Sequence, residues 1–225
     1  MAHLPALPGT PLYDAAGGMR HARDWVARDL EALQGGGIDA IMFCNENDRP
    51  YRLDADLASV AAMADVVASL RGELSVPFGV NVLWDPRATL AVAAATGAAF
   101  AREIFTGAFA GDFGLWVRSA GDAFRYRREV SAEGCRLLFN INAEFAAPLA
   151  PRPLADVARS ANASRAVASS ARLHVHGATQ RERRRFGQGR WWHGRSVDGQ
   201  EHGGGRRPQD GARSELPRRH GKRSQ

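Results

Sequence analysis

Lysine is almost absent from this chain: Lys222 stands alone against 29 arginines, the bias of a GC-rich gene. Cysteine is nearly as scarce. Cys44 and Cys135 lie far apart with no Cys-x-x-Cys spacing, which argues against a disulfide framework or a zinc finger and for reduced thiols in a cytoplasmic protein. No window approaches the ~18 uninterrupted apolar residues of a membrane span. The Met1–Pro5 start has neither the basic flank nor the apolar core of an export signal. No Gly-x-Gly-x-x-Gly turn follows an apolar run, so a dinucleotide-binding sheet is disfavoured and no cofactor is legible.

What is present divides into two parts. The 225 residues are 44% apolar, enough for a buried core, yet the net charge of +6 is unevenly placed. Residues 1–161 hold 15 arginines against 19 acidic residues, a balance of −4. Residues 162–225 hold 14 arginines and Lys222 against 5 acidic residues, a balance of +10. The basic excess therefore lies wholly in the tail, which argues against nucleic acid as the body's partner.

The body reads as repeated strand–helix modules. Pro77 to Pro86 gives an apolar strand closed by Asp85-Pro86, Arg87 to Ala99 an apolar helix, and Phe100 to Gly107 a second strand. Such a βαβ unit has parallel strands buried on both faces. Upstream, the Pro-punctuated His3–Pro11 reads as the remnant of a strand turning into a loop. Met19–Leu33 is an amphipathic helix stopped by Gly35-Gly36-Gly37, and Ile38–Cys44 a buried strand. Leu57–Leu70 follows as a helix. Downstream, Ala108–Gly114 reads as a small-residue loop and Trp116–Val130 as a helix; Arg136–Asn142 is a strand, and Pro153–Ala161 opens a last helix. Five modules at about 30-residue spacing predict an α/β fold, a partial (β/α)8 barrel of the TIM type rather than a doubly wound sheet.

Parallel sheets expose reactive groups at the carboxyl ends of their strands. Glu103, just inside a strand end, is the candidate general acid or base, because burial raises a carboxyl pKa. Arg102 is a candidate anion clamp, with Asn45, Asn81 and Asn140 orienting substrate oxygens and Glu46 and Asp85 beside them. Alternation along the strand predicts that only one of Arg102 and Glu103 faces the inside, the other pairing with an outer helix. Taken singly, Asn45 and Asp48 read better as turn formers and caps of the helix beginning near Asp56; as a group with Glu46 they suit a site equally well. Glu46, Asp48 and Asp85 could hold a divalent ion, but carboxylates on separate strands form no recognisable metal motif. A small-molecule substrate is the partner these residues suit.

From Asn162 onward Ile, Met and Tyr are missing and no helix or strand periodicity is evident, so a disordered tail over 162–225 is expected. Its arginine runs and Trp191-Trp192 would suit RNA, and His174, His176, His193 and His202 fit no familiar metal spacing. The composition reads best as an out-of-frame translation of GC-rich codons.

Several stretches together resemble the BtpA family: His3–Gly9, Gly36–Glu46, Pro77–Pro86, Phe100–Gly107 and Leu138–Ile141. The family is named for a protein linked to photosystem I biogenesis and has bacterial relatives in sugar-metabolism gene clusters. The resemblance implies a TIM-like barrel of unsettled activity, in assembly or as a phosphosugar lyase, isomerase or hydrolase. Members carry Ala-Asn-Thr-Gly about where Glu201-His202-Gly203 stands, and such codons read one base early give Glu-His-Gly. The resemblance thus implies a frameshifted chain lacking its last three barrel strands, expected to be an unstable, non-functional fragment.

Overall fold

The computed structural model describes residues 1–143, 145–163 and 172–174. The predicted alternation is present: β1 (Ala2–His3), α1 (Gly18–Gly35), β2 (Ile41–Cys44), α2 (Leu57–Leu70), β3 (Phe78–Asn81), α3 (Pro86–Thr96) and β4 (Phe100–Glu103). After these come β5 (Gly107–Gly111), β6 (Gly114–Arg118), α4 (Ala120–Glu129), β7 (Arg136–Asn140), β8 (Ala146–Pro148), α5 (Leu154–Ala163) and β9 (Arg172–His174).

Local chemistry sets the helix ends. The Asp85 carboxylate accepts from the amides of Arg87 and Ala88 and Pro86 fills the first helical position, so α3 starts where the strand stops. Asp56 and Ser119 cap α2 and α4 in the same way. The triple glycine closes α1, with Gly37 at φ 71°, a left-handed conformation that a side chain would strain.

One sheet is parallel throughout, in the order β1-β2-β3-β4-β7-β9, and that order follows the chain without reversal. Crossovers between parallel strands are right-handed almost without exception, so an unreversed order lays the helices on one face. Helices α1 to α4 accordingly pack each against the next. Their core takes alternate strand residues, Ile41, Phe43, Val80, Ala101, Leu137 and Phe139, and meets them with Val26, Leu30, Met63 and Leu90 from the helices. Fully burying one such side chain contributes about 1.5–3 kcal/mol.

Two expectations fail between residues 107 and 130. The supposed loop is β5, and the start of the supposed helix is β6; the two form a hairpin with Gly111 opposite Gly114, and only Ala120–Glu129 is helical. Burial, not sequence, alternates through Leu115, Trp116 and Val117, and Gly at either side of Asp112-Phe113 permits a two-residue turn. Strand β8 joins the far side of β5, giving a small antiparallel sheet in the order β6-β5-β8. At Gly111 an added Cβ would collide with the Phe145 carbonyl, so only glycine admits β8 this closely. The inner side of this sheet joins Trp84, Ile104, Phe109, Trp116 and Ala143 in a second core, with Tyr51, Leu53 and Phe113 packed against it.

Helix α5 runs to Ala163, and Arg172–His174 pairs in parallel with Leu138–Asn140, a run too short to show as periodicity. Residues 164–171, 175–225 and Glu144 lie outside the described residues, and with them the rest of the expected disordered tail, its arginine runs, His176, His193, His202 and Glu201–Gly203.

Candidate functional site

Because the strands are parallel, Cys44, Asn81, Glu103 and Asn140, the last residues of β2, β3, β4 and β7, come to one edge of the sheet. Register brings them side by side. Cys44 is opposite Asn81, Val80 opposite Ala101 and Arg102 opposite Leu138, so Cys44, Asn81, Arg102 and Asn140 share the face turned away from the helices.

Glu103 belongs by alternation to the other face, yet it ends its strand and its carboxylate joins the same group. Oε2 accepts from Asn81 Nδ2 at 2.5 Å and Oε1 from its neighbour's amide, Ile104 N, at 2.8 Å. The expectation that one of Arg102 and Glu103 pairs with an outer helix is thus corrected: among the described residues neither does, because Arg102 lies on the face turned away from the helices and Glu103, as the last residue of its strand, is freed from the pleat. Glu103 is 3% exposed, and this burial pushes its pKa up to about 7 against the opposing pull of the Ile104 amide, Arg102, Asn81 and Arg118. A carboxyl that exchanges its proton near neutrality is what acid–base catalysis uses.

The chain of contacts continues outward. Cys44 Sγ lies 3.5 Å from Asn81 Oδ1 and 3.8 Å from Glu46 Oε2, and Tyr51 OH donates to Glu46 Oε1 at 3.0 Å. Burial, with the charges of Glu46 and Glu103, holds the Cys44 thiol well above its ordinary pKa, so it is a poor nucleophile.

Other predicted site residues have structural partners. Asn45 Oδ1 accepts from Leu83 N at 2.7 Å while its Nδ2 donates to Asp48, whose second oxygen takes Leu7 N at 2.8 Å. Asp85 caps α3 with one oxygen and accepts Ala55 N with the other at 3.0 Å. Together they tie the loops after β1, β2 and β3, so Asn45 and Asp85 frame the site; Asn45 and Asp48 hold backbone amides of distant loops and do not cap α2, whose cap is Asp56. Glu46, Asp48 and Asp85, weighed above as divalent-ion ligands, are engaged separately. Among the described residues no group of three His, Cys, Asp or Glu is placed to hold a metal ion.

Sequence reasoning missed the cap. Arg118, at the end of β6, donates through Nη2 to Leu53 O at 2.8 Å and Trp84 O at 2.9 Å, closing the hairpin over the loops after β2 and β3. Trp84 sits at φ 75°, a strained conformation for a tryptophan, and its ring centroid is 5.5 Å from those of Phe113 and Trp116. The only sequence signal was the Gly-Asp-Phe-Gly turn. Beside the cap lies an open cleft of about 620 Å³ between Pro50–Asp54 and Asp112-Phe113. Tyr51 lines it and links it through Glu46 to the strand ends.

No helix among the described residues is long and apolar enough to cross a membrane. The model of the BtpA family matches residues 1–180. The sgc region protein SgcQ of Escherichia coli is 47% identical over 160 residues, which are 71% of this chain and 60% of that protein. The photosystem I biogenesis protein BtpA of Synechocystis is 34% identical over 152 residues, 66% of this chain and 52% of that protein. An uncharacterized Thermococcus kodakarensis protein is 35% identical over 135 residues, 59% of this chain and 51% of its own length. The chain thus spans between about half and three fifths of these curated relatives.

Proposed function

The chain belongs to the BtpA family, and from that premise we propose that it carries the first five modules of a TIM-like barrel whose site, at the carboxyl ends of the strands, performs acid–base chemistry on a small molecule. One observation carries the proposal: a nearly fully buried glutamate, bonded to an asparagine on the next strand, with its pKa near 7. Glu103 is the proton-transferring group and Asn81 fixes its carboxylate. Arg102 supplies positive charge to an anionic substrate, and Asn140 and Glu46 address substrate oxygens. With the sugar-metabolism gene clusters that the family resemblance implies, a phosphosugar is the substrate class, and a lyase, isomerase or hydrolase the reaction class.

The experiment is turnover of a panel of sugar phosphates by wild type and by Glu103→Gln. General acid–base catalysis contributes about 10²–10⁴-fold, so kcat should fall by that factor and the wild-type pH–rate profile should bend near 7. Unchanged turnover in Glu103→Gln removes Glu103 from the reaction.

A second reading is a role in assembly, alongside the photosystem I biogenesis that the name of the Synechocystis relative states for that protein. One observation favours it: the outer side of the small sheet leaves Leu115, Val117 and Leu149 exposed by 66%, 65% and 56%. An assembly role would survive Glu103→Gln intact.

A further inference from the structure

Six buried side-chain polar atoms have no hydrogen-bond partner among the described residues, and five of them belong to the carboxyl edge and its cap: Trp84 Nε1, Arg102 Nε, Trp116 Nε1, Arg118 Nε and Asn140 Oδ1. Four of these five are N–H donors. A buried donor without an acceptor is disfavoured, and native interiors keep few of them, so four in one region call for an acceptor.

Trp84, Trp116 and Arg118 touch one another, and Arg102 reaches them through Glu103. Trp84 and Trp116 stack edge to face, and Arg118, two residues beyond Trp116 on the same side of β6, holds the Trp84 carbonyl. The charges of Arg102 and Arg118 both act on Glu103. Neither arginine has a carboxylate within ion-pair distance among the described residues. The carboxylates nearby are otherwise engaged, Glu103 by Asn81 and Ile104 N, Glu46 by Tyr51.

We infer that the layer between the strand ends and the cap binds the phosphate group of a phosphomonoester, with Arg102, Arg118, Trp84 and Trp116 as its donors. A dianionic phosphate brings three terminal oxygens, each with lone pairs for N–H groups, whereas a carboxylate brings two oxygens. Arginine supplies charge with directed donors, and the indoles supply donors in a setting that excludes water. The inference builds on the site proposed above but does not require Glu103 to turn anything over.

Calorimetric titration of the full chain with inorganic phosphate, with acetate as the comparison, tests it. One saturable phosphate site is expected, weakened at least tenfold in Arg102→Met and severalfold in Trp116→Phe, which keeps an aromatic ring and loses the N–H. Glu103→Gln should bind phosphate as tightly as wild type or tighter, because a competing negative charge is gone. That variant separates the two claims, since the acid–base reading has it bind without turnover. Absence of saturable binding overturns the inference. So does an unchanged constant in Arg102→Met and Trp116→Phe variants that retain the wild-type melting temperature, or acetate binding as tightly as phosphate.

Discussion

The helix-side core and the cap core are built on different principles. On the helix side, aliphatic and phenylalanine side chains from successive strands meet helices that pack one upon the next, and the buried hydroxyls of Ser59, Thr89 and Thr96 bond to backbone carbonyls. In the cap the rings of Tyr51, Trp84, Phe113 and Trp116 come from three separate segments and are held together by Arg118 bonds to two backbone carbonyls. The first core depends on area removed from water; the second depends on a few directed contacts beside titratable groups. The two cores therefore rest on different interactions, and a change on one side should leave the other measurable.

The largest expected effect lies in the first core. Phe43 is fully buried, and Phe43→Ala should cost about 3–5 kcal/mol, seen as loss of helical circular dichroism at lower denaturant. A variant that instead lost only its tryptophan signal would place Phe43 in support of the cap and not of the helix-side core.

Next comes the carboxyl at their boundary. The pKa of Glu103 is raised from 4.5 to about 7 in the folded chain, so below pH 4.5 both folded and unfolded forms hold the proton. As pH rises the unfolded form ionises first, and stability falls until about pH 7, by roughly 3 kcal/mol at most. Glu103→Gln should flatten this slope; the same slope in that variant would place the titration on another group.

Smaller again is the effect of Gly111→Ala. The added methyl meets the Phe145 carbonyl and pushes β8 off β5, a local strain of about 1–3 kcal/mol. Near-ultraviolet circular dichroism of the tryptophans should change while the far-ultraviolet helix signal stays. If both signals fell together, the cap would be part of the main cooperative unit.

How much of this is legible in the sequence follows from the range of each interaction. Asp85-Pro86 and the Gly35–Gly37 run mark helix ends through contacts a few residues long, and they mark them correctly. The parallel strands are legible because Ile41–Cys44 is apolar on both faces and Phe78–Asn81 carries Phe78 and Val80 on one face with only the terminal Asn81 polar on the other. The hairpin is not, since alanines and glycines in β5 carry little strand propensity and Trp116 reads on smoothly into the helix behind it. At the site, Glu103 and Asn81 can be picked out as strand-end residues. The roles of Asn45 and Asp85 cannot, because capping a backbone amide and binding a substrate oxygen use the same side-chain atoms. Arg118 is invisible to local reasoning: its acceptors, Trp84 and Leu53, are 34 and 65 residues away along the chain.

The unreversed strand order has a consequence for how the molecule is made. Each module leans on the one translated just before it, so the parallel layer can assemble as the polypeptide leaves the ribosome, with short loops to close at every step. The small sheet cannot follow that schedule: β5 waits for β8, which emerges only after α4 and β7. Until then the apolar rings of the cap lack part of their cover, so the cap closes later than the strands β1 to β7 beneath it.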